Sequence, residues 1–234
     1  NKNIAFIMVV SPLGHKINVR KLNDLRNKFK LPIVYDAADN FLNLEKNITN
    51  NKIFISLSFH PTKTFGGNES GMILCPSNHA KHIKNLINFG GQNYIGFNGK
   101  FSEYDAAILD ANFSSLKKRR LRIKDINRYL IYKIKNQNLV NQKNLGINWY
   151  SLKVVLYHKR KSYIKLDKFF KKNGIEIFKP WNKKIISNYS IFRKYKKTSL
   201  KFAKFIDNKI FAIPIHYDMN KRKLDYIIKF VNKI

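Results

Sequence analysis

Short β-branched runs alternate with helical spacing over the first third of the chain. Ile4 to Val10 reads as a buried strand, and Val19, Leu22, Leu25 and Phe29, with charges between them, carry a helical spacing. Leu31 to Tyr35, with Pro32 tolerated near its start, and Ile53 to Leu57 predict two further strands. This β-α-β order predicts a mostly parallel sheet covered by helices, with its ligand at the carboxyl ends of the strands.

After Leu57 the texture changes. His60 to Gly71 is rich in turn formers and predicts a loop, followed by a strand at Met72 to Cys75 and a helix from about Asn78 to Asn88. A Gly-containing stretch, Phe89 to Lys100, leads to Ser102, whose hydroxyl can cap a helix with Asp105 three residues on. That helix is expected from Glu103 to about Lys118, with a basic amphipathic continuation from Arg119 to Lys135. The polar stretch from Asn136 to Asn148 predicts a domain junction, dividing the chain into residues 1–137 and 138–234. The second part reads as a smaller α/β domain. Its strands are expected at Ser151 to Tyr157, Ile175 to Phe178 and Ile210 to Ile215, and its helices at Tyr163 to Lys172 and Asn220 to Val231. No repeat of fixed period and no heptad run interrupts this plan.

Composition adds exclusions. With 234 residues, 44% hydrophobic and 14% aromatic, the chain is a folded globule and not a basic disordered tail. Its longest apolar run, Ile4 to Val10, falls far short of the ~20 residues a membrane helix needs. Lone Cys75 permits no intrachain disulfide and suits a reducing cytoplasm. The net charge of +32 suggests nucleic acid at first sight, but 37 of the 46 basic residues are Lys, scattered among Asn and Ile. Arg, the better reader of phosphate and guanine, is scarce, so a solvated basic surface is the expectation, and no nucleic-acid partner. His15, His79, His82, His158 and His216 have no metal-ligand spacing with Cys75 or with carboxylates, so no metal site is expected.

The chemistry concentrates in two strand ends. Ser58-Phe59-His60-Pro61-Thr62-Lys63 follows a predicted strand, and a lysine there, in partly apolar surroundings, is placed to act as a Schiff-base former. Asp36 ends the preceding strand. A carboxylate held against a pyridine nitrogen keeps that nitrogen protonated, which is what pyridoxal 5'-phosphate (PLP) chemistry depends on, and small Ala37 and Ala38 leave room for the ring.

Three blocks in this order resemble the PLP-dependent sugar aminotransferases of the DegT/DnrJ/StrS family: Val34-Tyr35-Asp36-Ala37-Ala38; Ser58 to Lys63 with Glu69 and Gly71; and Gly96-Phe97-Asn98-Gly99-Lys100-Phe101-Ser102-Glu103 with Ala106 and Ala107. Ile213-Pro214-Ile215-His216 is similar to the family's closing strand. The resemblance implies a type I aminotransferase-like α/β fold, with a large, mostly parallel sheet domain, present in part, and a small C-terminal α/β domain. It also implies transfer of an amino group, usually from glutamate, to a keto carbon of a nucleotide-linked sugar, for cell-surface polysaccharide. By position, Lys63 would carry the cofactor and move the proton, and Asp36 would pair with the ring nitrogen. Ser58 would bind the phosphate, and Asn98 would reach that phosphate from a neighbouring subunit, implying a homodimer. His60 receives no step.

Departures accompany the likeness. Asp39 stands where the family often has Gln contacting the ring hydroxyl, and Asn68 and Ser70 replace common glycines. The chain begins without Met at what looks like a mid-sheet strand. The family's N-terminal part, with the helix that cradles the phosphate and the aromatic that stacks on the ring, has no counterpart, so half a cofactor pocket is expected. Lys63 favours transamination over the family's dehydratase branch, which lacks that lysine. The alternatives are a non-catalytic remnant that does not retain cofactor and, from another class, a basic nucleic-acid-binding protein.

Overall fold

The computed structural model describes residues 4–15, 17–44, 48, 52–67, 69–140, 152–180, 185, 189–194 and 199–234. Ser151, expected to open a strand, most of the proposed 136–148 junction and Asn68 lie outside them.

The chain divides into two compact units, the first running to Leu121 and the second taking over at Arg122. In the first, strands β1 (Ile7–Val10), β2 (Ile33–Asp36), β3 (Ile53–Ser58) and β4 (Gly71–Leu74) form one sheet in that order. β1, β2 and β3 are parallel, and β4 returns antiparallel beside β3. Helix α1 (Val19–Phe29) makes the first crossover. It starts where the Asn18 side chain accepts the backbone N–H of Arg20 at 2.9 Å, and it stops at Lys30 in the left-handed region, φ 53°. Helix α2 (Ser77–Leu86) follows β4. Ile33, Tyr35, Ile53 and Ile55 point alternately into the core with Leu22 of α1, all at most 1% exposed.

The expectation of a buried strand over Ile4 to Val10 needs correction. The ladder begins at Ile7, and Met8 and Val10 are 59% and 52% exposed while Ile7 and Val9 pack on the core. Among the described residues β1 lies at the edge of the sheet, and an unbroken apolar run hides the two-residue alternation by which only one of its faces is covered there.

Helix α3 (Glu103–Lys133) is one element of 31 residues. Ser102 caps it as expected, accepting the Asp105 N–H at 3.0 Å and donating to the Asp105 carboxylate at 2.7 Å. No Gly or Pro interrupts the segment, so the basic continuation joins the same helix. Its residues from Arg122 onward belong to the second unit.

The second unit holds an antiparallel sheet of β5 (Leu139–Val140), β6 (Lys153–His158) and β7 (Ile210–Pro214). Helices α4 (Tyr163–Lys172), α5 (Ser190–Arg193), α6 (Lys201–Asp207) and α7 (Lys221–Val231) complete it. Leu130, Leu156, Leu166, Phe170, Phe211 and Val231 are fully buried in its core. Ile175 to Phe178 is not a strand of this sheet. Phe178 alone bridges Ala212, through two backbone bonds of 2.7 and 3.1 Å, and Pro180 shortly after has no N–H with which to continue a ladder. Among the described residues, no helix is long and apolar enough to cross a membrane.

Candidate active site

The candidate site lies at the carboxyl ends of β2 and β3. β2 hands over to a tight turn in which Ala38 N–H donates to Asp36 Oδ1 at 3.0 Å and Asn40 N–H to Ala37 C=O at 2.8 Å. Buried Asn40 anchors that turn by donating to the Tyr35 hydroxyl at 2.5 Å. The turn leaves Asp39 pointing toward the loop that follows β3.

That loop, residues 59–70, is tied at its neck. Phe59 N–H donates to Ser70 C=O at 2.8 Å, continuing the β3–β4 pairing by one residue. Lys63 N–H closes a turn on His60 C=O at 2.9 Å, and Gly67 N–H returns to Phe59 C=O at 2.9 Å. Gly66 permits this fold-back: a Cβ there would stand 2.3 Å from the His60 carbonyl oxygen and 2.7 Å from that of Phe59.

The result is a salt bridge between two separate strand ends. Lys63 Nζ stands 3.0 Å from Asp39 Oδ1, with the two side chains 21% and 19% exposed. Ala38, Asp39, Ser58, Lys63 and Thr64 line one small cavity together with Phe41 and Phe65. The phenyl rings beneath it interlock, Phe41 stacking on Phe65 at 5.0 Å while Phe59 meets both edge-on at 5.6 and 5.7 Å. Two of these rings, Phe41 and Phe65, line the cavity with the lysine and its carboxylate.

Of the five residues singled out in the sequence, the structure brings Lys63, Asp39 and Ser58 into this one cavity. Asp36 stands three residues before Asp39, half-buried at the end of β2, with one carboxylate oxygen taken by Ala38 N–H. Val34, Asp36, Phe54, Ser56 and Ser58 are all partly exposed along one face of the sheet. Asn98 is elsewhere, exposed and bridged to Asn88. The expectation that Ala37 leaves room for a ring is corrected: it is fully buried in the core, and only Ala38 borders the cavity. Sequence reasoning missed Thr64, the floor of Phe41, Phe59 and Phe65, and the partners of His60. Phe59 and Phe65 flanking Lys63 were the available signal.

The enclosed space beside Lys63 is about 10 Å³, room for one water at most. A pyridine ring therefore fits this site only from the partly exposed face that carries Asp36 and Ser58. The donor set of the cavity suits PLP, with an amine, a carboxylate, a hydroxyl and a small Ala38, and Asp36 lies outside its lining at the end of β2. Among the described residues, no three His, Cys, Asp or Glu side chains gather closely enough to hold a metal ion.

Comparison with known proteins shows the family and the fold. The model of the DegT/DnrJ/EryC1/StrS aminotransferase family matches residues 1–232. The dTDP-4-amino-4,6-dideoxy-D-glucose transaminase of Shigella dysenteriae is 27% identical over 248 residues, covering 97% of this chain and 66% of that protein. Helicobacter pylori PseC, an aminotransferase involved in the biosynthesis of pseudoaminic acid, superposes with a TM-score of 0.87 at 18% identity, over 100% of this chain and 67% of its own. NtdA from Bacillus subtilis, crystallised with bound cofactor PMP, gives 0.80 at 16% identity, over 97% and 55%. The fold is that of the PLP-dependent aminotransferases, and the chain spans about two thirds or less of these relatives' length.

Proposed function

The chain belongs to the DegT/DnrJ/EryC1/StrS aminotransferase family, and on that premise we propose that it serves a PLP-dependent aminotransferase acting on a nucleotide-linked keto sugar. The observation that carries the proposal is the meeting of Lys63 and Asp39 at 3.0 Å, beside Ser58, at the ligand-binding end of a parallel sheet. The amino-sugar transaminase from Shigella supports the substrate class. We further assign glutamate as amino donor, a role in surface polysaccharide, the cytoplasm as location and a homodimer as the working form, as the family resemblance implies.

When bound, PLP supplies an electron sink for bond breaking at the substrate carbon. The chain's own residues do the rest. Lys63 Nζ, the amine that lines the cavity, would hold the group and would carry the proton at the substrate carbon. Asp39 fixes where that nitrogen starts, which shortens its search for the reacting position. The Asp36 oxygen not taken by Ala38 N–H would hold the proton on the ring nitrogen. Ser58 Oγ, which accepts the His60 N–H at 3.3 Å, would donate its own proton to the phosphate. Asn98, exposed on its own subunit, suits a role in a neighbouring one.

A second reading, that this chain alone does not retain the cofactor, is favoured by the partly exposed sheet face around Asp36. Both are decided by adding PLP to the purified chain and recording its visible spectrum. A new band that is absent from Lys63→Ala supports the enzyme reading. A spectrum identical for the two proteins supports the second.

A further inference from the structure

His60 has no assigned step, yet it bonds through its backbone and through both ring nitrogens. Its N–H donates to Ser58 Oγ at 3.3 Å and its C=O accepts the Lys63 N–H at 2.9 Å. Its ring Nδ1 accepts the Thr62 N–H at 3.1 Å and lies 2.7 Å from Thr62 Oγ1. Its Nε2 stands 3.0 Å from Glu69 Oε1. Since Nδ1 is occupied as an acceptor, the ring proton sits on Nε2 and is donated to the carboxylate.

The place of the Glu69 contact matters as much as its length. β3 and β4 pair Ser58 with Gly71, and the Phe59–Ser70 backbone bond adds one step to that register. His60 and Glu69 are the next opposed pair, so the imidazole extends the ladder with side chains where the backbones part. One ring thus ties the neck of the loop on one side and the Thr62–Lys63 turn on the other. Its bonds end on the Lys63 N–H, the hydroxyl of Ser58, Thr62 and Glu69, the first two through the His60 backbone and the last two through the ring.

Building on the proposed function, we infer that His60 is a positioning residue: its ring Nδ1, by accepting the Thr62 N–H, presets the turn that closes on Lys63 before cofactor arrives. It does not line the cavity that holds Lys63 and Asp39. Asn places its Oδ1 about where Nδ1 stands and can accept the Thr62 N–H, as in other Asx turns, whereas Ala can replace neither ring bond.

The test compares wild type, His60→Ala and His60→Asn by amide hydrogen exchange without cofactor, with β3 and β6 as internal controls of folding. Amides of residues 62–67 are expected to exchange about tenfold faster in His60→Ala and to return within about threefold of wild type in His60→Asn, the strands being unchanged. PLP binding to the same proteins should weaken by a similar factor in His60→Ala and recover in His60→Asn. Exchange in the loop equal to wild type in His60→Ala, or no recovery with Asn, overturns the inference. If His60→Ala loses its strand protection as well, His60→Gln decides. Gln can reach Glu69 but cannot take Nδ1's place, so fast loop exchange over intact strands supports the role and wild-type exchange refutes it. Wild type failing to bind PLP would sink the functional reading instead, leaving the exchange result to stand on its own.

Discussion

Lys63 and Asp39 face each other across two strand ends, the ammonium nitrogen 3.0 Å from a carboxylate oxygen and both side chains about four-fifths buried. The pair joins the turn after β2 to the loop after β3, so the position of the lysine depends on both. A contact in this setting is worth more than a surface ion pair, because less water competes for either partner.

Replacing Asp39 with Ala is therefore expected to weaken PLP binding by about tenfold, equivalent to ~1.4 kcal/mol. Asp39→Asn, which keeps a hydrogen-bond acceptor without the charge, should fall between. Titration of the visible band reads the effect, and unchanged affinity in Asp39→Ala would show that the pair does not position the lysine.

Gly66→Ala should be among the most damaging changes in the loop. The added Cβ meets two backbone carbonyls at 2.3 and 2.7 Å, so chain must move where no flexible side chain can yield. A loss of about 1–3 kcal/mol in thermal or denaturant unfolding is expected. PLP affinity should fall with it, since the displaced carbonyl of His60 holds the Lys63 N–H.

Ser102→Ala separates folding from function. It removes the acceptor of the Asp105 N–H at the start of α3 and should cost about 1 kcal/mol of stability. The PLP affinity of the folded fraction should stay at the wild-type value, as measured by the same titration.

Much of this was legible in the sequence, for reasons that can be named. α1 announces itself by its spacing, α3 by the Ser102–Asp105 box, and Lys63 by its place after a strand within a recognisable block. What was not legible depended on the third dimension. Continuous apolarity in Ile4 to Val10 could not show which face of β1 lacks cover. Asp39 read as a departure from a family pattern, and only the turn held by Asp36 and Asn40 shows that it meets Lys63. His60 was adjacent to everything important and explained by nothing, because its partners Thr62 and Glu69 come together only when the loop folds back at Gly66.

The second unit carries its own pH sensitivity. His158, 1% exposed, accepts the N–H groups of Arg160 and Lys161 on Nδ1 at 3.0 and 2.8 Å. Burial first, then the nearby charge of Lys161, holds its pKa below the ordinary imidazole value of 6.5. The unfolded chain therefore takes up a proton that the folded unit resists. The contribution of His158 is fully present above about pH 6.5 and is lost as pH falls from there through the lowered folded pKa. Unfolding midpoints recorded from pH 7.5 to 5 should drop, and His158→Asn should flatten that part of the curve. Equal slopes for the two proteins would contradict the assignment.

The central claim, that Lys63 is the residue that holds PLP, is tested most directly by borohydride reduction of the purified chain after exposure to PLP, followed by peptide mapping. The account predicts one pyridoxyl-phosphate mass increment on the peptide containing Lys63, abolished by Lys63→Ala. Label spread over the many surface lysines, with no preference for Lys63, would contradict it.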